Sequence, residues 1–482
     1  MLPCDLGSAD VRDKPKFCPA FRRILKTEGI KAVLRPPKSP TVNAHLEPFH
    51  RSAYTARMNG IARPQTPPVP MPSIPMSLLK KILVGLLRIL AGVPIVSLIL
   101  GGLLFLVLGT TLRGRSVGLS AVILGGVLFC SVGYWNRTWF KQVRRRFYGV
   151  LLPISLLLYL VPMLVAPNGG TGDGRVRNCF LHGEGAFPRY SPWNVIPEID
   201  QIAVGINLLR LRQVNAAEAT RLRSLVLPIY EAMDKDADFH ALGSVIGMGY
   251  RELVRMEFRT GHYYLFLPET TSGEKLPCLI FLHGMGGNTK SCLWVLSQQT
   301  KCAVIAPTFG MGNWDRPEGA EFIVEVAREV PATLPIDPER VFLMGYSNGA
   351  MGVTRAAIKA PGLFKGLIYL SPITEDELFS TKEFSTRSQD RRILFLHGGR
   401  DQRIPRSFVE GTAGLLKRLG FDVRLKVYDE EDHYLLFSQS EVVLGDIMEW
   451  MTAQSGCRPE SSSQSTGKAP PAGFQELPSV SR

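Results

Sequence analysis

Val341-Phe342-Leu343-Met344-Gly345-Tyr346-Ser347-Asn348-Gly349-Ala350-Met351-Gly352 is the stretch on which the fold turns. Its four leading apolar residues predict a buried strand, and the small residues after Gly349 can open a helix. Between them lies G-x-S-x-G, in the strand–turn–helix setting that lifts a serine hydroxyl clear of a sheet. Gly345 and Gly349 suit that turn, because side chains two residues either side of Ser347 would collide there. The backbone N–H of Asn348 then points to where an oxyanion would form. The pattern alone recurs by chance in a glycine-rich chain, so its neighbours decide what it means.

Outward from this stretch, strands and helices alternate. Strands are predicted in LPCLIFL before His283-Gly284-Met285-Gly286-Gly287, in Cys302–Thr308, Val341–Gly345, Gly366–Pro372, Arg392–Gly398 and Val423–Tyr428. Helices are predicted near Thr289–Gln298, Gly319–Val330, Asn348–Lys359, Pro405–Leu419 and Glu441–Met451. The alternation predicts an α/β fold, a mostly parallel sheet with helices on both faces. Just upstream, LVRMEF and HYYLFLP, separated by Arg259-Thr260-Gly261, read as a hairpin.

A serine becomes a nucleophile when a base takes its proton and a third group orients the base. The strand Ile393–Leu396 runs into His397-Gly398-Gly399-Arg400-Asp401, placing Asp401 in a loop at a strand's carboxyl end. The next strand runs into Tyr428-Asp429-Glu430-Glu431-Asp432-His433. Sites in parallel sheets collect at those ends, and Ser…Asp…His is the chain order of one hydrolase class. Of the eight histidines, His433 alone follows Asp401, which makes it the base. Oxyanion donors are expected from the N–H groups of Asn348 and Met285. His283 and His397 read as hydrogen-bonded, loop-shaping groups. Asp315 reads as a solvated loop acid, and Trp314 as either a pocket wall or a packing residue.

GYSNG, HGMGG, HGGRDQRIP and EEDH, in that order, resemble the α/β-hydrolase superfamily. LPIDPERVFLMGYSNGAMGV is most similar to polyhydroxybutyrate-depolymerase-like and feruloyl esterases, dienelactone hydrolases and the catalytic domain of prolyl oligopeptidases. The resemblance spans about Arg251 to Thr452. It implies Ser347 as nucleophile, Asp401 as orienting acid, His433 as base, Met285 and Asn348 as oxyanion donors, and Gly284, Gly345 and Gly349 as motif glycines. It implies no metal and no cofactor. Prolyl oligopeptidases carry an N-terminal propeller, for which Pro167 to Met256 is too short and too helical.

The remainder of the 482-residue chain reads as membrane anchor and tails. Net charge is +14, but the basic residues gather in the N-terminal tail and beside apolar runs, without an aromatic platform; this favours membrane flanks over nucleic acid. Ile89–Leu108 is 20 residues without a charge, and Val117–Tyr134 and Tyr148–Ala166 are further candidate spans. Lys80, Lys81 and Arg88 precede the first span, Arg113 and Arg115 lie in the first loop, and Arg137, Lys141, Arg144, Arg145 and Arg146 crowd the second loop. With three spans, the positive-inside rule leaves everything after Ala166 extracytoplasmic. If the glycine-rich second span stays out of the bilayer, the side reverses.

The expected domains are a disordered tail over 1–75, a transmembrane region over 76–167, a helical accessory region over 168–250, the hydrolase over 251–453 and a disordered tail over 454–482. The proline-rich TPPVPMPSIP closes the first tail, with Met76 an alternative start. In the accessory region, Ile199, Ile202, Ile206 and Leu209, then Ala219, Leu222, Val226 and Ile229, predict two amphipathic helices. These either pack on the hydrolase or lie along a membrane surface. Eight cysteines show no C-x-x-C, against zinc and thioredoxin-type chemistry. A Cys292–Cys302 bridge is open to an extracytoplasmic domain; separate buried thiols are the alternative.

The reading is a membrane-anchored serine hydrolase of carboxylic esters working through an acyl-enzyme, its expected partners an ester or peptide substrate and the lipid bilayer. Its rivals are a peptidase on the same machinery and a catalytically idle hydrolase domain serving as a binding module. Only about 20 residues, Ser371 to Arg391, separate two successive strands, leaving little room for a lid over the cleft.

Overall fold

A computed structural model describes residues 76–132, 137–183, 185–210, 215–255, 261–269, 273–286, 289–385 and 391–454. The expected tails over 1–75 and from 455 onward lie outside the described residues, as do Cys4, Cys18 and Cys457. Two units divide the chain: one runs to Gly170 and includes Phe187–Gly247, the other comprises Thr171–Ala186 and continues from Met248.

The first unit is helical. Its opening helices are α1 (Met76–Leu108), α2 (Leu112–Ser131) and α3 (Arg137–Leu164). Two segments, Lys80–Leu108 and Leu112–Ser131, are long and apolar enough to cross a membrane. The third expected span is shorter than anticipated: its apolar part is Tyr148–Leu164, about 25 Å at 1.5 Å per residue, against a hydrocarbon core of about 30 Å. The helix stops ahead of Pro167, whose ring disfavours helical geometry in the residue before it.

Close approach and hydroxyl bonds join these helices. A Cβ on Gly102 would lie 2.7 Å from the Gly118 carbonyl oxygen, and one on Gly118 would lie 2.7 Å from that of Gly102. Small residues of this kind let helix backbones approach closely. Between α2 and α3, Ser120 Oγ donates to the Ser155 carbonyl at 2.7 Å and Ser155 Oγ to the Ser120 carbonyl at 3.0 Å. Outward, Leu83, Leu87, Leu90, Val107, Leu156 and Leu157 are more than half exposed.

Helices α4 (Glu198–Leu209) and α5 (Ala216–Lys235) match the two predicted amphipathic helices. Their apolar faces meet: Ile206 and Ala219 form a buried core flanked by Ile202, Leu209 and Leu222. Asp200, fully buried in the first turn of α4, accepts the backbone N–H groups of Thr110 at 2.5 Å and Thr111 at 2.9 Å. It also accepts both threonine hydroxyls, at 3.0 and 2.5 Å. The α1–α2 loop and the segment leaving α3 thus share one end of the unit, where Val117, Ala166, Val195 and Ile196 form a common core.

The second unit is built on an eight-stranded sheet: β1 (Val176–Phe180), β2 (His262–Phe266), β3 (Leu276–Leu282), β4 (Ala303–Pro307), β5 (Ile336–Tyr346), β6 (Gly366–Leu370), β7 (Arg392–Gly398) and β8 (Asp422–Tyr428). Their order is β1-β2-β4-β3-β5-β6-β7-β8. The β1–β2 and β2–β4 pairs are antiparallel and the rest parallel. β4 and β6 are buried along their whole length, as expected for strands covered on both faces. The predicted helices appear as α6 (Thr289–Gln299), α7 (Pro317–Ala332), α8 (Gly349–Lys359), α9 (Arg406–Arg418) and α10 (Ser440–Gln454).

Two sequence expectations change. Leu253–Arg255, read as strand, closes the helix Ile246–Arg255, and residues 256–260 lie outside the described set. β2 therefore pairs not with that segment but with β1, a strand inside the region expected to be helical. β1 is an edge strand with only Val176 and Asn178 buried, so its sequence lacks the continuous apolar run of the central strands. Of the two readings of Cys292 and Cys302, separate buried thiols is the one realised: both are fully buried and free, with Cys302 Sγ 2.6 Å from Thr300 Oγ1. Burial pushes the Cys302 thiol up to about 11.

Candidate active site

The sheet reverses its winding between β3 and β5, the crevice where ligands collect in such folds. Both β3 and β5 deliver a loop there. Ser347 follows β5 with φ of 55°, a left-handed conformation uncommon outside glycine. Backbone bonds hold it so: Ser347 N–H donates to Leu370 at 2.9 Å, and Ile373 N–H donates to the Ser347 carbonyl at 3.0 Å. A Cβ on Gly345 would lie 2.5 Å from the Gly349 backbone, and one on Gly349 would strike the Leu282 carbonyl oxygen. The elbow closes only with glycine at both places.

Asp401 follows β7 and His433 follows β8. Asp401 Oδ1 accepts the N–H groups of Arg403 at 2.8 Å and Ile404 at 2.9 Å. Asp401 Oδ2 lies 2.8 Å from His433 Nδ1, and His433 Nε2 lies 3.1 Å from Ser347 Oγ. All three residues are more than nine-tenths buried. Burial disfavours the charge on Asp401, but the hydrogen bond and charge of His433, with the Ile404 N–H, outweigh it and hold the carboxyl below its ordinary value. A carboxylate only accepts, so Nδ1 of His433 carries the proton and Nε2 presents its lone pair to the serine. The two loops are also joined by backbone, Gly399 N–H to Tyr428 and Arg400 N–H to Glu431, each 2.8 Å.

The turn after β3 borders the serine: a Cβ on Gly284 would lie 3.3 Å from Ser347 Cβ. Met285 follows on that turn with its side chain 67% exposed. Gly286 N–H donates to the Met311 carbonyl at 3.0 Å. Asn348 stands at the entry to α8, whose N-terminus favours negative charge. Its side-chain amide also donates to the Gly312 carbonyl, a clamp the sequence did not signal.

His283 donates from Nδ1 to the Gly284 carbonyl at 2.8 Å and accepts the Phe309 N–H at Nε2, 3.3 Å away. Burial pushes its pKa down to about 4, so the ring is neutral. The turn it holds is further fixed by Gly310 N–H on the buried Glu252 carboxylate at 2.7 Å. Trp314 is fully buried, donates to the His283 carbonyl at 2.8 Å and stacks on Phe309. Of its two readings, packing is the one realised. Away from the crevice, exposed His182 bridges Glu325 at 2.9 Å and Glu329 at 3.2 Å, one ring nitrogen to each carboxylate.

Residues 320–451 match the family described as phospholipase/carboxylesterase. The second unit is an α/β-hydrolase domain. Among curated proteins, the S-formylglutathione hydrolase of Rattus norvegicus is 27% identical over 144 residues, 23% of this chain and 51% of that protein. The chain spans about half the length of the curated relatives it matches. Solved structures similar to it include a thermostable esterase (21% identity, 40% of this chain and 58% of that one, TM-score 0.34). A putative dienelactone hydrolase from Klebsiella pneumoniae is another (19% identity, 41% and 93%, TM-score 0.32).

Proposed function

We propose that this chain is a membrane-anchored serine hydrolase acting on carboxylic esters through an acyl-enzyme. The observation that carries the reading is the continuous path from Asp401 Oδ2 through His433 to Ser347 Oγ, 2.8 and 3.1 Å. His433 takes the Ser347 proton as Oγ attacks the ester carbonyl, and then gives it to the leaving alcohol. Water activated by the same imidazole releases the acid. Asp401 keeps His433 in the required tautomer and balances the imidazolium that forms. The backbone N–H groups of Asn348 and Met285 receive the oxyanion, one at the mouth of α8 and the other on the turn beside Ser347. The chemistry needs no metal or organic cofactor, and nucleic acid is not a partner.

The proposed organisation is a tail over 1–75, a membrane region over 76–167, accessory helices to about 250 apart from the segment Thr171–Ala186, whose strand β1 joins the sheet, the hydrolase over 251–453 and a closing tail. Lys80, Lys81 and Arg88 precede the helices, and Arg137, Lys141 and Arg144–Arg146 lie at the α2–α3 end. The accessory helices gather at the opposite end, through Asp200 and the α1–α2 loop. The positive-inside rule then puts the catalytic domain outside the cytoplasm.

Labelling with an impermeant fluorophosphonate tests both parts. Wild-type chain in intact cells is expected to label and Ser347→Ala to stay dark. Labelling only after permeabilisation would reverse the orientation, and a folded wild type that never labels would remove the enzyme reading. Turnover of peptide amides at rates matching esters would turn the assignment to a peptidase.

A further inference from the structure

A second histidine faces the acid of the triad. His397, the penultimate residue of β7, is fully buried four residues before Asp401. Its Nε2 lies 3.1 Å from the Ile404 carbonyl, which only accepts, so Nε2 carries a proton. Among the described residues its Nδ1 has no hydrogen-bond partner, and it stands 4.0 Å from Asp401 Oδ2. Ile404 in turn donates its own N–H to Asp401 Oδ1 at 2.9 Å. His397 therefore fastens the residue that fastens the carboxylate.

We propose that His397 is a positioning residue for Asp401, holding the carboxylate toward His433 while its ring is neutral and drawing it away once Nδ1 is protonated. The inference rests on the triad assigned above. Asp401 Oδ1 is already occupied by two backbone N–H groups, so Oδ2 is the oxygen left for an imidazole. A neutral His397 offers that oxygen only a lone pair, which leaves it to His433 Nδ1–H. A proton taken from solvent at His397 Nδ1 creates a competing donor and a positive charge beside the same oxygen. His433 then loses both its orientation and its anionic partner. The charged groups around His397 are Asp401 and Glu410, which favour its proton, and His433, which opposes it; burial is the largest influence, and the balance keeps the ring neutral below its ordinary range.

The test uses the full chain in detergent with His397→Gln, His397→Leu and, as background, Ser347→Ala. Glutamine places an N–H near the position of Nε2 but takes up no second proton. The first-order rate of phosphonylation by a fluorophosphonate is followed from about pH 9 down to the pH at which near-ultraviolet circular dichroism begins to change. On the alkaline side, His397→Leu is expected to slow the reaction about tenfold or more, and His397→Gln to recover it to within about threefold. On the acid side, the wild-type rate should fall with a slope that exceeds one proton and steepens, while His397→Gln falls with a slope of one. Equal slopes, or leucine matching glutamine, overturn the proposal.

A second readout is independent of reactivity. In ¹⁵N-histidine spectra of Ser347→Ala, the His433 Nδ1 resonance should move as His397 titrates, and that movement should vanish on adding His397→Gln. Its absence from Ser347→Ala overturns the proposal even if the serine reacts. Its presence with an unreactive wild type supports the positioning role and discards the hydrolase reading.

Discussion

Tyr346 holds His433 in two ways: its phenol donates to the His433 carbonyl at 2.9 Å, and its ring stacks on the imidazole with centroids 5.5 Å apart. The residue just before the proposed nucleophile thus sets the position of the proposed base. Tyr346→Phe keeps the stacking and removes one donor to a buried carbonyl. It should cost about 1 kcal/mol of stability and several-fold in kcat with KM little changed, read from denaturant unfolding and ester kinetics. Unchanged kcat with lowered stability would leave the contact purely structural.

Asp401→Asn replaces an acceptor of the His433 proton by a group that can donate, which favours the wrong tautomer. Esterase turnover should drop by roughly three to four orders of magnitude while the protein stays folded. A loss of tenfold or less would mean that Asp401 does not orient the base.

Gly349→Ala brings a Cβ onto the Leu282 carbonyl oxygen, a backbone atom that cannot step aside. The expected loss is about 2–4 kcal/mol, or failure to fold, measured by chemical denaturation. Gly411→Ala is the control, because a Cβ there meets nothing within 4 Å.

Stability should fall as the medium turns acidic through the histidine range. His283 and His262 are fully buried, and burial pushes their pKa values down to about 4 and about 3. Since the unfolded chain binds those protons first, the stabilisation is complete above about pH 6.5 and lost as pH drops toward the folded values. Each group contributes up to a few kcal/mol by this linkage. A melting temperature that stays flat between about pH 6.5 and pH 4 would contradict it.

Asp200→Ala removes the acceptor of four donors from Thr110 and Thr111. Unfolding in detergent should show a loss of about 3 kcal/mol, with faster proteolysis in the α1–α2 loop. Protease resistance equal to wild type would show that water replaces the carboxylate there.

Much of the hydrolase unit was legible before any coordinates. Central strands such as VFLMG and ILFL announce themselves because burial on both faces demands continuous apolar runs. The elbow was legible because its geometry tolerates so few residues, and Asp401 and His433 because each ends a strand where such folds collect chemistry. β1 was not, since an edge strand is only partly buried and VRNCF carries no such run. Leu253–Arg255 misled because a short apolar run fits a strand or a buried helix equally well.

By itself, then, the sequence determined most of the order of elements, the hydrolase architecture, an apolar region in which two of the three expected spans reach membrane-crossing length, and the serine, acid and histidine at strand ends that the sheet brings together. Those features follow from local chemistry: hydropathy periods, glycine at strained turns, and loops at strand ends. Only the tertiary structure decided how the groups meet. Tyr346 on His433, Asn348 on Gly312, His397 against Asp401 and Asp200 on the α1–α2 loop join residues from 36 to 90 positions apart, except for the four-residue step from His397 to Asp401. Hydrogen bonds depend on distances of a few tenths of an ångström, and such distances arise only when the sheet sets its register and, in the first unit, the helices pack, bringing separate loops together.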